Sequence, residues 1–400
     1  MTHNDNSPPD LPENLPKPSQ EEQAHSDRLV ELIQQEMQAS SGKIPFNRFM
    51  ELALYAPGLG YYSAGTRKFG EAGDFVTAPE LSPLFSRCIA HQCRQILSKI
   101  PKASILEAGP GSGAMAADIL AELERLGELP DRYYLLETSA DLRQRQRETI
   151  QQKVPHLASL VQWLDELPNP GFRGVVLGNE LLDAMPVHRF CLHHKETAEL
   201  YVAYENNRFV WKHGPVTHPV ISQRLSQIGD AVPMEIEYES EINLAAEAWI
   251  RSVADSLESG LVLLFDYGFP RKEFYHPQRS GGTLMCHYRH RSHGDPLILV
   301  GLQDITAHVD FSAVAQAADE AGLAVAGYTT QAYFLINSGL EELTAETPVE
   351  DTRAYWDIAQ QVKKLTLPSE MGELFKVIGL TKNFNESLLG FRLMDQRSRL

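Results

Sequence analysis

Apolar and polar residues alternate in blocks along most of the chain. The apolar runs and the amphipathic stretches between them lie, in order, at 104–108, 115–126, 133–137, 142–154, 175–178 and 261–266. Short apolar runs separated by helical patterns are typical of right-handed βαβ units, which build a parallel sheet covered by helices on both faces. The pattern therefore predicts an α/β fold with a doubly wound, mostly parallel sheet.

The N-terminal part of the chain lacks this alternation. Residues 1–25 are rich in Pro, Asp and Glu, which predicts a disordered tail. Ser26 precedes an amphipathic stripe and is the predicted cap of the first helix. We expect a helical section over 26–100, which also holds a glycine-rich loop.

The α/β core is predicted to fill residues 101–400. It is interrupted at about 187–242 by an insertion, which begins with alternating residues that are typical of an antiparallel ribbon. Two later strands are predicted at 323–328 and 388–393, where short apolar runs recur.

Acidic residues exceed basic ones, 53 to 36, which gives a formal net charge of −17. A surface of this sign repels phosphate backbones and anionic membranes. No run approaches the roughly 18 apolar residues of a membrane-spanning helix, and the first residues lack the apolar core of a signal peptide. We therefore predict a cytoplasmic protein with no nucleic-acid partner and no membrane insertion.

The four cysteines are Cys88, Cys93, Cys191 and Cys286. They form no CxxC pair and show no zinc-ligand spacing. We expect reduced, buried thiols and no metal site.

The residues ILEAGPGSG at 105–113 place three glycines between an apolar run and an amphipathic stretch. Gly109, Gly111 and Gly113 permit a sharp turn and let a ligand approach the backbone. Ala114 also completes a GxGxx(G/A) dinucleotide fingerprint. The turn by itself therefore fits an NAD site, an S-adenosylmethionine site or a strand-to-helix turn without a ligand.

Two carboxylates near this turn help to choose between the ligands. Glu137, at the end of the next apolar run, can accept hydrogen bonds from both ribose hydroxyls of an adenosine, which suits either cofactor. Glu107 lies two residues before the first glycine. A carboxylate there would repel a pyrophosphate and attract the cationic amino acid portion of S-adenosylmethionine. These residues favour the methyl donor.

A second polar group follows the apolar run at 175–178. Asn179, Glu180 and Asp183 come directly after it, and in open α/β sheets the ligand crevice lies at the carboxyl ends of the strands. Glu180 can bind a guanidinium through two hydrogen bonds, and Asp183 can add to this or accept a proton. Asp266, at the end of another apolar run, is predicted to lie near the acceptor. The alternative is helix capping by Asn179 and a solvated Asp183.

These segments together resemble the MidA family of class I S-adenosylmethionine-dependent methyltransferases. The resemblance spans roughly residues 26–393, and its motifs are GDFVTAPE at 73–80, EAGPGSG at 107–113, NELLDAMP at 179–186, FDYG at 265–268, DITAHVDF at 304–311 and MGELFK at 371–376.

The resemblance implies a Rossmann-like, seven-stranded methyltransferase sheet with an N-terminal helical section, and S-adenosyl-L-methionine as the cofactor. It also implies relatedness to a mitochondrial complex I assembly factor that methylates a protein arginine. Carried over by position, a loop containing Gly73, Asp74, Thr77 and Pro79 would cross the cofactor. The three glycines of the turn would line the cofactor, and Glu137 would hold its ribose. Asn179, Glu180 and Asp183 would face the acceptor, and Asn179 would also contact the cofactor.

The function predicted is methyl transfer to a protein side chain, with arginine favoured. One alternative is a catalytically weak assembly or scaffolding protein that retains the fold, and a lesser one is an NAD-dependent oxidoreductase. The sequence predicts no oligomeric state.

Overall fold

The computed structural model describes residues 12, 15–64, 77–193, 196–229, 237–346 and 351–400. Contacts between these residues divide the chain into two units. The first unit comprises Met1–Phe75, Ala184–Ala245 and Lys272–His308; the core unit comprises Val76–Asp183, Ala246–Arg271 and Val309–Leu400.

Helices and strands are numbered in chain order within the described residues. The helices are α1 (Gln20–Ala39), α2 (Phe46–Tyr55), α3 (Ala78–Leu81), α4 (Pro83–Leu97), α5 (Ala114–Arg125), α6 (Ala140–Lys153), α7 (Pro219–Gly229), α8 (Leu244–Ser256), α9 (Arg271–Phe274), α10 (Phe311–Glu320), α11 (Gln331–Asn337), α12 (Leu340–Ala345), α13 (Thr352–Thr366) and α14 (Met371–Leu374). The strands are β1 (Lys43–Pro45), β2 (Ser104–Ala108), β3 (Tyr133–Leu136), β4 (Val161–Leu164), β5 (Phe172–Asn179), β6 (His188–His193), β7 (Glu196–Glu205), β8 (Arg208–Gly214), β9 (Tyr238–Ile242), β10 (Leu257–Phe269), β11 (Met285–Tyr288), β12 (Arg291–His293), β13 (Asp304–Thr306), β14 (Val309–Asp310), β15 (Ala324–Thr330) and β16 (Phe375–Lys382). Short 3₁₀ turns lie at Pro155–Leu160, Leu389–Phe391 and Arg397–Arg399.

The core unit is built on one twisted sheet with the strand order β15-β16-β10-β5-β2-β3-β4. The pairs from β10 to β4 are parallel, whereas β16 runs antiparallel to both of its neighbours. The short strand β14 adds to the end of β10 in parallel. This arrangement confirms the predicted doubly wound, mostly parallel sheet of seven main strands.

Both faces of this sheet are buried. Val175 and Leu263 belong to an apolar cluster that includes side chains of α4 and α5. Val176 and Val262, which alternate with them along the strands, are also buried. Strands that are covered on both faces need continuous apolar runs, which explains the pattern seen in the sequence.

The first unit contains an antiparallel sheet with the order β1-β7-β6-β9, and β8 pairs with residues 199–205 of β7. A smaller sheet has the order β12-β11-β13. Apolar side chains of α1 and α2 pack with residues of β7 and β13 in one cluster. The hairpins β6–β7 and β7–β8 confirm the antiparallel ribbon predicted at the start of the insertion.

The division into units differs from the predicted boundaries at 26–100, 101–400 and 187–242. Helix α4 lies in the core unit, where its apolar face joins the core cluster. The inserted ribbon belongs to the same unit as the N-terminal helices because β1 pairs with β7. A further segment, Lys272–His308, joins this unit and was not predicted as an insertion.

The first helix begins at Gln20, six residues before the predicted cap Ser26. Ser19 is the N-cap: its hydroxyl accepts from the Glu22 backbone N–H at 3.2 Å, and its own N–H donates to the Glu22 carboxylate at 2.6 Å. This capping box satisfies backbone donors that would otherwise be left open. Ser26 is buried inside the helix and donates to Val300 O. The predicted tail is therefore wrong for residues 20–25, and residues 1–11, 13 and 14 lie outside the described part.

The last strand of the core sheet is β16 and not the predicted segment 388–393. That segment contains the 3₁₀ turn Leu389–Phe391. The N–H groups of Leu389 and Gly390 donate to the side-chain oxygens of Gln95 and Gln92, so the backbone there pairs with α4 and not with a strand. The strand predicted at 323–328 is present as β15. Among the described residues, no helix is both long and apolar enough to cross a membrane.

Candidate active site at the carboxyl edge of the core sheet

The glycine turn, residues 109–113, connects β2 to α5. Gly109, Gly111 and Gly113 have φ values of +66°, +52° and +82°, which is the left-handed region that favours glycine. A Cβ on Gly113 would lie 3.1 Å from the Cα of Gln146, and a Cβ on Gly111 would meet no atom within 4 Å. The turn therefore needs glycine for its conformation and leaves open space beside Gly111, as a ligand cradle does.

Glu137 follows β3 and lies next to this turn. Its carboxylate accepts from the Ser139 N–H at 2.8 Å and from Gln146 Nε2 at 3.3 Å. Burial raises the pKa of Glu137, although the hydrogen bonds from Ser139 and Gln146 lower it in part. Each carboxylate oxygen keeps a further lone pair, so the position fits the predicted contact with two ribose hydroxyls.

Glu107 has a different environment from the one predicted. Its side chain is only 1% exposed and accepts a hydrogen bond from the Tyr133 hydroxyl at 2.6 Å. Burial raises the pKa of Glu107 to about 8. Burial therefore opposes the charged form of Glu107 on which the predicted attraction for a cationic ligand depends. In the structure, the hydrogen bond between Glu107 and Tyr133 joins β2 to β3 inside the core unit.

Asn179 and Glu180 follow β5, directly beside the glycine turn, because Ala108 and Gly178 are register partners on neighbouring strands. Glu180 has φ of +50°, a strained conformation for a residue with a side chain. Its N–H donates to Phe265 O at 2.9 Å, and its carboxylate accepts from Asn179 Nδ2 at 3.1 Å. The Oδ1 atom of Asn179 is buried and has no hydrogen-bond partner among the described residues, so it is available to a bound donor.

Asp266 holds the turn after β5. One of its oxygens accepts from the N–H groups of Leu181, Leu182 and Asp183 at 3.2, 2.9 and 3.3 Å, and the other accepts from the Tyr267 N–H at 3.0 Å. Burial and the nearby Asp183 raise the pKa of Asp266. Asp266 was predicted to lie near the acceptor, but its side chain is only 1% exposed, so it supports the turn from inside the unit and is not open to an acceptor.

Asp183 lies on the same turn and is also buried. Tyr267 forms a side-chain hydrogen bond with it, and burial together with the carboxylates of Asp183, Asp266 and Glu180 raises the pKa of Tyr267. The carboxyl groups of Glu180, Asp183 and Asp266 therefore lie close together at the carboxyl edge of β5 and β10, and Glu180 is the one that is partly exposed. A partly exposed carboxylate at this edge can attract a cationic acceptor.

The predicted covering loop is only partly described. Gly73 and Asp74 lie outside the described residues, while Thr77 is the N-cap residue of α3 and Pro79 lies in its first turn. Two side chains that the sequence analysis missed lie nearby. Glu80 accepts a hydrogen bond from Ser112 of the glycine turn, and Gln146 contacts both Glu137 and the turn. The described residues contain no cluster of His, Cys, Asp and Glu suited to a metal ion.

The chain matches a family model described as "Putative S-adenosyl-L-methionine-dependent methyltransferase" over residues 88–329. A crystal structure from Burkholderia thailandensis, of a protein bound to S-adenosyl-homocysteine, is 43% identical, with a TM-score of 0.93 over 97% of this chain and 100% of that one.

Two curated relatives are more distant. A zebrafish (Danio rerio) protein named protein arginine methyltransferase NDUFAF7, mitochondrial, is 28% identical over 90% of this chain and 87% of its own length. The Drosophila melanogaster homologue of that protein is also 28% identical, over 85% and 82%. The family match confirms the predicted cofactor, S-adenosyl-L-methionine, over NAD.

Proposed function

The chain belongs to this family of S-adenosyl-L-methionine-dependent methyltransferases, and we propose that it transfers the methyl group to a nitrogen of an arginine side chain in a protein. The observation that carries the proposal is the register of β2 and β5. It sets the glycine turn directly beside Asn179 and Glu180. The cofactor cradle and the acidic acceptor residues therefore share one edge of the sheet.

The residues at this edge fit S-adenosyl-L-methionine. The glycine turn leaves room for a ligand against the backbone, Glu137 offers oxygens to the ribose, and the buried Oδ1 of Asn179 can accept from an ammonium or hydroxyl group. When bound, the cofactor supplies an electrophilic methyl group on a sulfonium. The protein's own contribution is to bind, orient and balance charge.

On the acceptor side, Glu180 supplies a partly exposed carboxylate, and the buried Asp183 lies on the same turn behind it. A guanidinium donates N–H bonds in a planar fork that carboxylates accept bidentately. Holding it so directs one nitrogen at the methyl group, and a carboxylate can take up the proton that this nitrogen loses. The strained backbone of Glu180 fixes the direction of its side chain before the acceptor arrives.

The relatives that are named protein arginine methyltransferases support arginine as the acceptor. We also propose that the chain belongs to the MidA group within the family, acts in the cytoplasm and has a protein rather than a nucleic acid as its substrate. The net charge of −17 supports a partner that is not a polyanion.

The test begins with calorimetric titration of S-adenosylhomocysteine into the purified protein. We expect binding, no binding of NADH, and an affinity about 10- to 100-fold weaker in Glu137→Gln, because one charge-assisted acceptor is lost. Glu148→Ala, which removes an exposed carboxylate from α6, is the control and should bind as the wild type does.

Incubation with labelled donor and cell extract, followed by peptide mass spectrometry, then identifies the acceptor. Methylated arginine that disappears with Glu180→Gln is the expected result. Cofactor binding with no methylated product would instead support the scaffolding alternative, and methylation of another residue type would overturn arginine.

A further inference from the structure

Gln146 occupies an unusual position on α6. Its side chain is fully buried, and its amide makes three hydrogen bonds. The oxygen accepts from Trp163 Nε1 at 2.8 Å, while Nε2 donates to Gly111 O at 2.9 Å and to Glu137 Oε2 at 3.3 Å. One side chain therefore joins the glycine turn after β2 to the carboxylate after β3.

The chemistry of the three partners fixes the orientation of this amide. The indole N–H of Trp163 can only donate, so the Gln146 oxygen must face it. The carbonyl of Gly111 and the carboxylate of Glu137 accept, so both Nε2 hydrogens have a partner. No other uncharged side chain of this length offers one acceptor and two donors in a plane.

Packing adds a second link to the glycine turn. The ideal Cβ position of Gly113 is 3.1 to 3.3 Å from three atoms of Gln146, so the turn is fitted closely against this residue. The Gly111 carbonyl, held from a left-handed backbone with φ of +52°, is fixed by the Gln146 amide. The conformation of the turn and the direction of Glu137 are thus set together.

We propose that Gln146 is a positioning residue for the cofactor, which holds Glu137 and the glycine turn in the arrangement that binds the nucleoside half of S-adenosyl-L-methionine. This inference rests on the proposed function. It assigns to Gln146 no contact with the reacting atoms, only control of the two elements that receive the cofactor.

The substitution Gln146→Glu tests this role with almost no change of shape. One oxygen of the introduced carboxyl group can still accept from Trp163, but the other would face Glu137 and the Gly111 carbonyl, which are both acceptors. When the introduced group is ionised, the repulsion displaces Glu137; when it is protonated, its hydroxyl restores one donor. The affinity for the cofactor product should therefore depend on pH in the variant.

The charged side chains that the structure describes near this position remain in place in the variant. Arg143, on the same helix, donates to the backbone oxygens of Glu137 and Leu164 and pairs with Asp165. Arg147 lies over the Trp163 ring at 4.8 Å. Burial and the Glu137 carboxylate both raise the pKa of a new carboxyl group here, so lowering the pH should protonate it and relieve the repulsion.

The experiment is calorimetric titration of S-adenosylhomocysteine into wild type, Gln146→Glu and the control Gln151→Glu, which adds the same charge at an exposed position of α6. At about pH 8.5 we expect Gln146→Glu to bind about tenfold more weakly than wild type or worse, and at about pH 6 within about threefold. The control should stay within about twofold at both values.

A ratio of affinities that is the same at both pH values, or no weakening at the higher one, would overturn the proposal. Circular dichroism of each variant shows whether it folds. If Gln146→Glu does not fold, Gln146→Met keeps the length without donors and should weaken binding about tenfold at both pH values; wild-type affinity in that variant would also overturn the proposal. Failure of the wild type itself to bind would overturn the proposed function together with this inference.

Discussion

Replacing Glu122 on α5 would test how the core unit holds the helix that follows the glycine turn. Its side chain is 3% exposed and lies 2.7 Å from Arg87 Nε, 2.5 Å from Arg125 Nη2 and 3.0 Å from His91 Nε2. Burial opposes ionisation, but hydrogen bonds from Arg125, Arg87 and His91 outweigh it and lower the pKa of Glu122 to about 2. Because Arg87 and His91 lie on α4, this carboxylate fastens α5 to α4.

We expect Glu122→Gln to lower the free energy of unfolding by about 2–3 kcal/mol at neutral pH. A fall in pKa from 4.5 to about 2 corresponds to about 3 kcal/mol, since one pKa unit is about 1.4 kcal/mol. Arg125 is about half exposed, so solvent screens part of its contribution. Because the folded-state pKa is depressed, the stabilisation is complete above the unfolded-state pKa of about 4.5 and is lost as the pH falls from there towards about 2.

The assay is urea unfolding followed by circular dichroism at several pH values. The difference between wild type and Glu122→Gln should shrink by about 1 kcal/mol as the pH falls from about 5 to about 3.5. Glu124→Gln, on the same helix and paired with His156 near the surface, should cost less than about 0.5 kcal/mol. A loss in Glu122→Gln that equals this control, or a difference that does not change with pH, would refute the reasoning.

Two further substitutions test the elements that shape the site. Asp266→Asn weakens the acceptor for the N–H groups of residues 181–183, so hydrogen exchange of this segment should accelerate about tenfold or more. The control Asp255→Asn, at an exposed position, should leave that exchange unchanged. Equal exchange rates for residues 181–183 in both variants would contradict the role of Asp266 in holding this turn. Gly174→Ala would place a methyl group 1.9 Å from Ser104 O, on a backbone with φ of +135°. We therefore expect the free energy of unfolding, followed by thermal unfolding, to fall by about 3 kcal/mol or more. A wild-type melting temperature would show that β2 and β5 can move apart at this position.

Features that a residue's own backbone decides could be predicted from the sequence. Gly109, Gly111 and Gly113 have the positive φ values that their spacing implied, because the left-handed region selects glycine locally. The start of α1 is equally local. Ser19 and Glu22 form a capping box whose residue types and spacing are visible in the sequence, and a helix that starts from this motif begins at Gln20, as in the structure.

Features that distant side chains decide could not be predicted in this way. Residues 375–382 and 388–393 are both short and largely apolar, and either could have completed the sheet by pattern alone. The second segment is diverted because Gln92 and Gln95 accept its N–H groups. A contact between α4 and a segment almost 300 residues later along the chain has no signature in the local pattern.

The surroundings of the polar side chains in the site could not be predicted from the sequence either, except for Gln146. Glu107 has the residue type of a charged ligand contact, but its charge depends on burial, which raises its pKa to about 8 and which the sequence does not reveal. Gln146 is one of four glutamines in α6 and looks like an ordinary surface residue by type. Its position on the helix, however, is not that of a surface residue. It lies four residues after Leu142 and four before Ile150, on the buried stripe of an otherwise polar helix. A polar residue in the middle of an apolar stripe needs buried partners, so position on the helix, more than residue type, identifies the side chain that connects the two halves of the cofactor site.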